Sequence, residues 1–115
     1  MDVRQLHDEV DKLQVRAKAL YADAERAKTS ASGLSSQGDE TAGRLETEKA
    51  DRLEREAAGL ERQAQQMSLE AEEKIKRARD IEAKQEQIQK DAAAAVENLE
   101  KEKRSLTGNS TGLFG

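Results

Sequence analysis

The chain has no cysteine, no proline and no tryptophan, and only one tyrosine, one phenylalanine and one histidine among its 115 residues. Each scarcity closes off a class of protein. Without cysteine there is neither a disulfide framework nor a thiolate metal site, and a lone histidine cannot build a multi-histidine centre. Nothing therefore argues for an oxidising compartment, and an intracellular, cytoplasmic setting is expected. With aromatics at 2% and hydrophobic residues at 35%, a thick globular core has too little to fill it. Long apolar runs are missing as well: the longest is Ala92 to Val96. The opening stretch carries Asp2, Asp8, Glu9 and Asp11 where a secretory signal needs a basic flank followed by apolar residues. Neither a signal peptide nor a membrane span is expected.

What the chain does have is charge and period. Charged residues make up 38% of it, and the mean hydropathy of -0.97 would suit a disordered chain were there no apolar register. The net charge is only -4, with acid and base interleaved, which argues against nonspecific nucleic-acid binding. Apolar residues recur at alternating three- and four-residue steps, the spacing of a coiled-coil seam. In a first segment the inward positions are Val3, Leu6, Val10, Leu13, Ala17, Leu20, Ala24, Ala27, Ala31 and Leu34. In a second they are Leu53, Ala57, Leu60, Ala64, Met67, Ala71, Lys74, Ala78, Ile81, Gln85, Ile88, Ala92, Ala95 and Leu99, with Leu106 further on.

Between the two lies a cluster of Gly and Ser, from Ser32 to Gly38, followed by Asp39. Glycine raises backbone entropy and serine competes for backbone hydrogen bonds, so a helix ends here, with Gly33 or Gly38 at the left-handed position and Asp39 as the next N-cap. Extending the first seam puts its next inward position at Leu45, out of phase with Leu53 and Ala57. A turn removes that conflict. The expected organisation is a first coiled-coil helix over 1–32, a turn or hinge over 33–43, a long second coiled-coil helix over 44–106 and a flexible tail over 107–115. The fold class is all-α, an asymmetric helical hairpin whose C-terminal half protrudes; the alternative is a kinked continuous coiled-coil rod. The second helix also carries acid-before-base pairs four residues apart, namely Glu48/Arg52, Asp51/Arg55, Glu70/Lys74, Glu72/Lys76, Glu73/Arg77, Asp80/Lys84, Glu86/Lys90, Glu97/Lys101 and Glu100/Arg104. Each adds roughly 0.2–0.5 kcal/mol to a helix, while Gly59 subtracts about 1 kcal/mol relative to alanine.

A first helix of this length covers only about half of the second, so Ile81, Ile88, Ala92, Leu99 and Leu106 are left needing a partner. Alanine fills five of the six a positions from Ala57 to Ala92 and permits close helix approach, which suits a tight antiparallel pair or a slender parallel dimer. Lys74 and Gln85 interrupt the stripe, either fixing register and partner choice or simply tolerated, with Lys74 reaching outward. Catalysis is not expected: Glu72 and Glu73 sit on an exposed helix and His7 falls outside the seam. The basic cluster Lys74, Lys76, Arg77 and Arg79 is interrupted by acids and lacks stacking aromatics, so a nucleic-acid groove is not expected.

Two short resemblances are present. A central Gln85 within a long heptad stretch resembles the SNARE motif, which implies a strand of a helical bundle, although no membrane anchor is expected. The closing Gly112-Leu113-Phe114-Gly115 resembles the GLFG repeat of FG nucleoporins, which implies that Leu113 and Phe114 dock into a partner pocket. The sequence thus leads to a non-enzymatic, cofactor-free coiled-coil scaffold subunit that oligomerises or binds a protein partner through Leu53, Leu60, Met67, Ile81, Gln85, Ile88, Leu99 and Leu106. An adaptor working through Leu113 and Phe114, and a SNARE-like bundle strand, are the alternatives. The direction of pairing stays open.

Overall fold

The structure, a computed structural model, describes residues 1–108 and consists of two helices, α1 (Val3–Ser36) and α2 (Glu40–Thr107). Asp2 caps α1 with a reciprocal box: its carboxylate accepts from the Gln5 N–H at 2.8 Å, and its own N–H donates to Gln5 Oε1 at 2.9 Å. The helix ends in a Schellman turn. Gly38 takes φ +88°, its N–H donates to the Ser35 carbonyl at 3.0 Å, and the Asp39 N–H donates to the Leu34 carbonyl at 2.9 Å. Asp39 then caps α2, accepting from the Ala42 N–H at 3.1 Å.

The turn is shorter than the 33–43 expected from the Gly/Ser cluster. Gly33 to Ser36 still belong to α1, and α2 is already helical at Glu40. Gly38 alone needs the left-handed backbone that ends the first helix; Gly33 sits in ordinary helix with open space where a Cβ would be.

The chain divides into two compact units, the first spanning Met1–Ile75 and the second beginning at Lys76. In the first, α1 and the facing part of α2 form an antiparallel hairpin, as the order of contacts shows. Val10 and Leu13 cluster with Ala64, Leu60 and Met67; Ala24 and Ala27 cluster with Ala50 and Leu53; Ala31 and Ser35 lie beside Gly43. Position numbers rise along one helix as they fall along the other, which a kinked continuous rod cannot produce.

The hairpin core is made of small residues at heptad spacing. On α2 the buried positions are Gly43, Ala50, Ala57, Ala64 and Ala71, one every seventh residue. On α1 they are Leu6, Val10, Leu13, Ala17, Ala24, Ala27 and Ala31. Towards the turn, leucine and valine give way to alanine on α1, and the last member of the α2 row is a glycine. An ideal Cβ on Gly43 would lie 2.6 Å from Ser35 Oγ and 3.2 Å from the Ala31 carbonyl oxygen. The backbones approach closely next to the turn that joins them.

In the second unit, every residue of α2 from Lys76 to Leu106 is exposed. Of the acid-before-base pairs along α2, Glu70–Lys74 closes at 3.6 Å and Glu97–Lys101 at 3.5 Å. Pairs this exposed contribute little beyond local helix support.

Candidate interaction seam

Two stretches of one heptad register on α2 meet different fates. The upstream stretch is closed within the chain: Leu53 packs on the Ala24–Ala27–Ala50 cluster, and Leu60 and Met67 on the Val10–Leu13–Ala64 cluster. These three residues, expected to bind a partner, pack on α1 and are left partly exposed. The turn holds α1 at very high local concentration, so an intramolecular helix fills this part of the seam ahead of any second molecule.

Polar contacts flank the closed seam. Tyr21 donates its hydroxyl to Glu61 Oε2 at 3.3 Å, and Lys28 pairs with Glu54 across the two helices and with Glu25 on its own helix at 3.6 Å. At the open end of the hairpin, half-buried Lys74 donates to the Met1 carbonyl. Its ammonium reaches the start of α1, so this polar inward position marks the end of the hairpin.

These flanking contacts are expected to give the hairpin a small loss of stability in alkali. Partial burial and the neighbouring Glu61 and Glu54 carboxylates raise the Tyr21 phenol above its ordinary value of 10.0, with Arg62 opposing. The hydrogen bond and charge of Glu54 raise the Lys28 ammonium above 10.5 against a smaller desolvation penalty, with Glu25 adding to the rise. Both groups bind their proton more tightly in the folded chain, so their contribution is complete below the ordinary values and is lost as pH rises through the raised ones. Thermal melts between about pH 8 and pH 11.5 should show a level melting temperature that falls above about pH 10. The double substitution Tyr21→Phe with Lys28→Met should flatten that fall. An equally steep fall in the double variant would place the alkaline sensitivity elsewhere.

The downstream stretch is open. Ile81, Ile88, Leu99 and Leu106 are 55%, 66%, 64% and 81% exposed and share one helix face with Gln85, Ala92 and Ala95. Val96, 59% exposed, borders the same face. Elsewhere Val15, Leu45 and Leu69 are exposed singly, which is ordinary for a protein surface. Leu113 and Phe114 lie outside the described residues. Among those described, no group of three His, Asp or Glu side chains is placed to hold a metal ion, and no helix is long and apolar enough to cross a membrane.

The seam positions missed from the sequence are Gly43 and Ala50, which continue the alanine row seven residues at a time back from Ala57. That spacing was the available signal. Glycine at 43 reads locally as a helix breaker, and only the closeness of the facing helix reveals it as the smallest member of the row. The cross-helix pairs Tyr21–Glu61 and Lys28–Glu54 left no sequence signal, because their partners are remote along the chain. No protein-family model, curated protein or solved structure matches the chain.

Proposed function

We propose that this chain is a non-enzymatic structural subunit that builds or bridges a protein assembly through the α2 seam from Ile81 to Leu106. The supporting observation is the row of large apolar side chains, Ile81, Ile88, Leu99 and Leu106, lying open on one helix face. Full burial of each is worth roughly 1.5–3 kcal/mol, so four supply roughly 6–12 kcal/mol gross. Association costs about 4–15 kcal/mol in lost freedom. A polar partner leaves little surplus, whereas a partner with an apolar row of its own roughly doubles the gain. The seam therefore calls for another amphipathic helix rather than a loop or a flat polar surface.

Sedimentation equilibrium of the full chain tests this. The mass should exceed the 12.7 kDa of one chain at micromolar concentration, and Ile81→Asp with Ile88→Asp should return it to the monomer while the hairpin stays folded. A double variant with unchanged mass would remove these residues from the interface.

A further inference from the structure

We propose that the occupant of the open seam is a second copy of this chain, lying antiparallel, with a two-fold axis passing between Ala93 and Ala94. This rests on the assembly reading above and adds the partner, the direction and the register.

The first argument is that the seam is a palindrome. From Ile81 to Leu106 its inward positions are Ile81, Gln85, Ile88, Ala92, Ala95, Leu99, Glu102 and Leu106. From either end the order is large, polar, large, small, and the three- and four-residue steps mirror as well. A two-fold interface uses the same patch on both molecules, so it requires a surface complementary to its own reversal. Ile81 then faces Leu106 of the second copy, Gln85 faces Glu102, Ile88 faces Leu99, and Ala92 faces Ala95, each pair occurring twice. The polar layer is matched too: the Gln85 amide can donate to the Glu102 carboxylate, so neither inward polar group is stranded against a hydrocarbon.

The second argument comes from the hairpin, where this chain displays antiparallel pairing and its flank offset, although its layers set small residues against large ones rather than large against large. There Leu13 shares a cluster with Ala64 and Ala27 with Ala50, antiparallel inward positions with a small residue in each pairing. On the flank, Tyr21 meets Glu61 and Lys28 meets Glu54, the position after one inward residue meeting its equivalent on the facing helix. Side chains lean towards their own N-terminus, so in an antiparallel pair the flanking residues that meet lie C-terminal to the layer between them. Transferred to the two-fold seam, this offset sets Val96 against Val96 of the second copy and Gln89 against Lys103. Val96 then closes over the central alanine layers, which accounts for an exposed valine beside the row.

Competing arrangements of two copies fit less well. A parallel, in-register pair sets Glu102 against Glu102, two like charges at an inward layer. An antiparallel pair slipped by one heptad sets Glu102 against Ala78 or Ala92, leaving an unpaired carboxylate beside a methyl group. Only the axis between Ala93 and Ala94 pairs large with large, polar with polar and small with small.

Because the chain has no cysteine, direction can be read by disulfide exchange. Full-length Ile88→Cys and Leu99→Cys chains, one of them isotope-labelled, are mixed in equal amounts in a glutathione redox buffer and the linked products are weighed. The mixed disulfide should exceed either self-disulfide by about 10-fold, since positions 88 and 99 face each other only across the two-fold axis. Charge gives a second readout: Gln85→Lys should keep the dimer dissociation constant within about 3-fold, and Gln85→Glu should raise it at least about 10-fold by meeting Glu102. Dominant self-disulfides, or equal weakening by both Gln85 variants, would overturn the antiparallel register while the unmodified chain's dimeric mass still upheld assembly. A monomeric mass for the unmodified chain would instead overturn the assembly reading, and this inference with it.

Discussion

Ala57→Asp is expected to open the hairpin. Ala57 is fully buried at the middle of the alanine row, where a carboxylate has no partner and no water. An uncompensated buried charge costs about 3–5 kcal/mol, and a core of this size rarely supplies more than about 3–5 kcal/mol in total. The substitution therefore removes most or all of the stability of the Met1–Ile75 unit. Ala57→Leu isolates the steric part, because leucine is nearly as good a helix former as alanine; overpacking alone should cost about 1–3 kcal/mol. Distances between spin labels at the exposed residues 11 and 66 provide the measurement. They should be short in the parent chain, longer and broader in Ala57→Leu near its melting point, and long in Ala57→Asp at room temperature. A short, sharp distance in Ala57→Asp would mean that the helices are not held by the alanine row.

The second large effect is expected at Gly43, where the size of the replacement decides the sign. Alanine gains about 1 kcal/mol of helix propensity over glycine, but its Cβ would sit 2.6 Å from Ser35 Oγ and 3.2 Å from the Ala31 carbonyl oxygen. The Ser35 hydroxyl can rotate away; the backbone carbonyl cannot. Gly43→Ala should therefore be close to neutral, and adding Ser35→Ala should recover part of the propensity gain. Gly43→Leu has no such escape and should cost about 3 kcal/mol, at the upper end for overpacking, lowering the melting temperature by roughly 12–24 °C for a unit of this size. Gly59→Ala serves as the control, since its Cβ would meet only the Arg62 guanidinium at 3.9 Å, and it should gain about 1 kcal/mol. If Gly43→Leu and Gly59→Ala melted alike, close approach at residue 43 would not limit the hairpin.

Much of the fold is legible in the sequence, residue by residue. The spacing of Leu6, Val10, Leu13, Ala17, Ala24, Ala27 and Ala31 identifies the buried face of α1, because a helix repeats its faces whatever lies opposite. Asp39 and Gly38 are readable for the same local reason: a cap and a left-handed residue act within a few positions of themselves. Leu53, Leu60 and Met67 were legible as inward residues on the half of α2 that a hairpin covers, but not the α1 clusters that each would join.

The sequence by itself determined two helices, the break between them and the register of each seam, since helical period, capping and turn chemistry depend on neighbours along the chain. Only the tertiary structure decided that the closed stretch begins as early as Gly43 and Ala50, that Lys74 reaches Met1, and that Tyr21 and Lys28 find Glu61 and Glu54. Those outcomes depend on which surface arrives opposite. A methyl group or a bare glycine contributes little until a second backbone comes near enough to touch it, so the alanine row has its full meaning only in the packed hairpin. Ile81 to Leu106 shares the same register and stays exposed; period specifies a face, and packing specifies whether that face is filled.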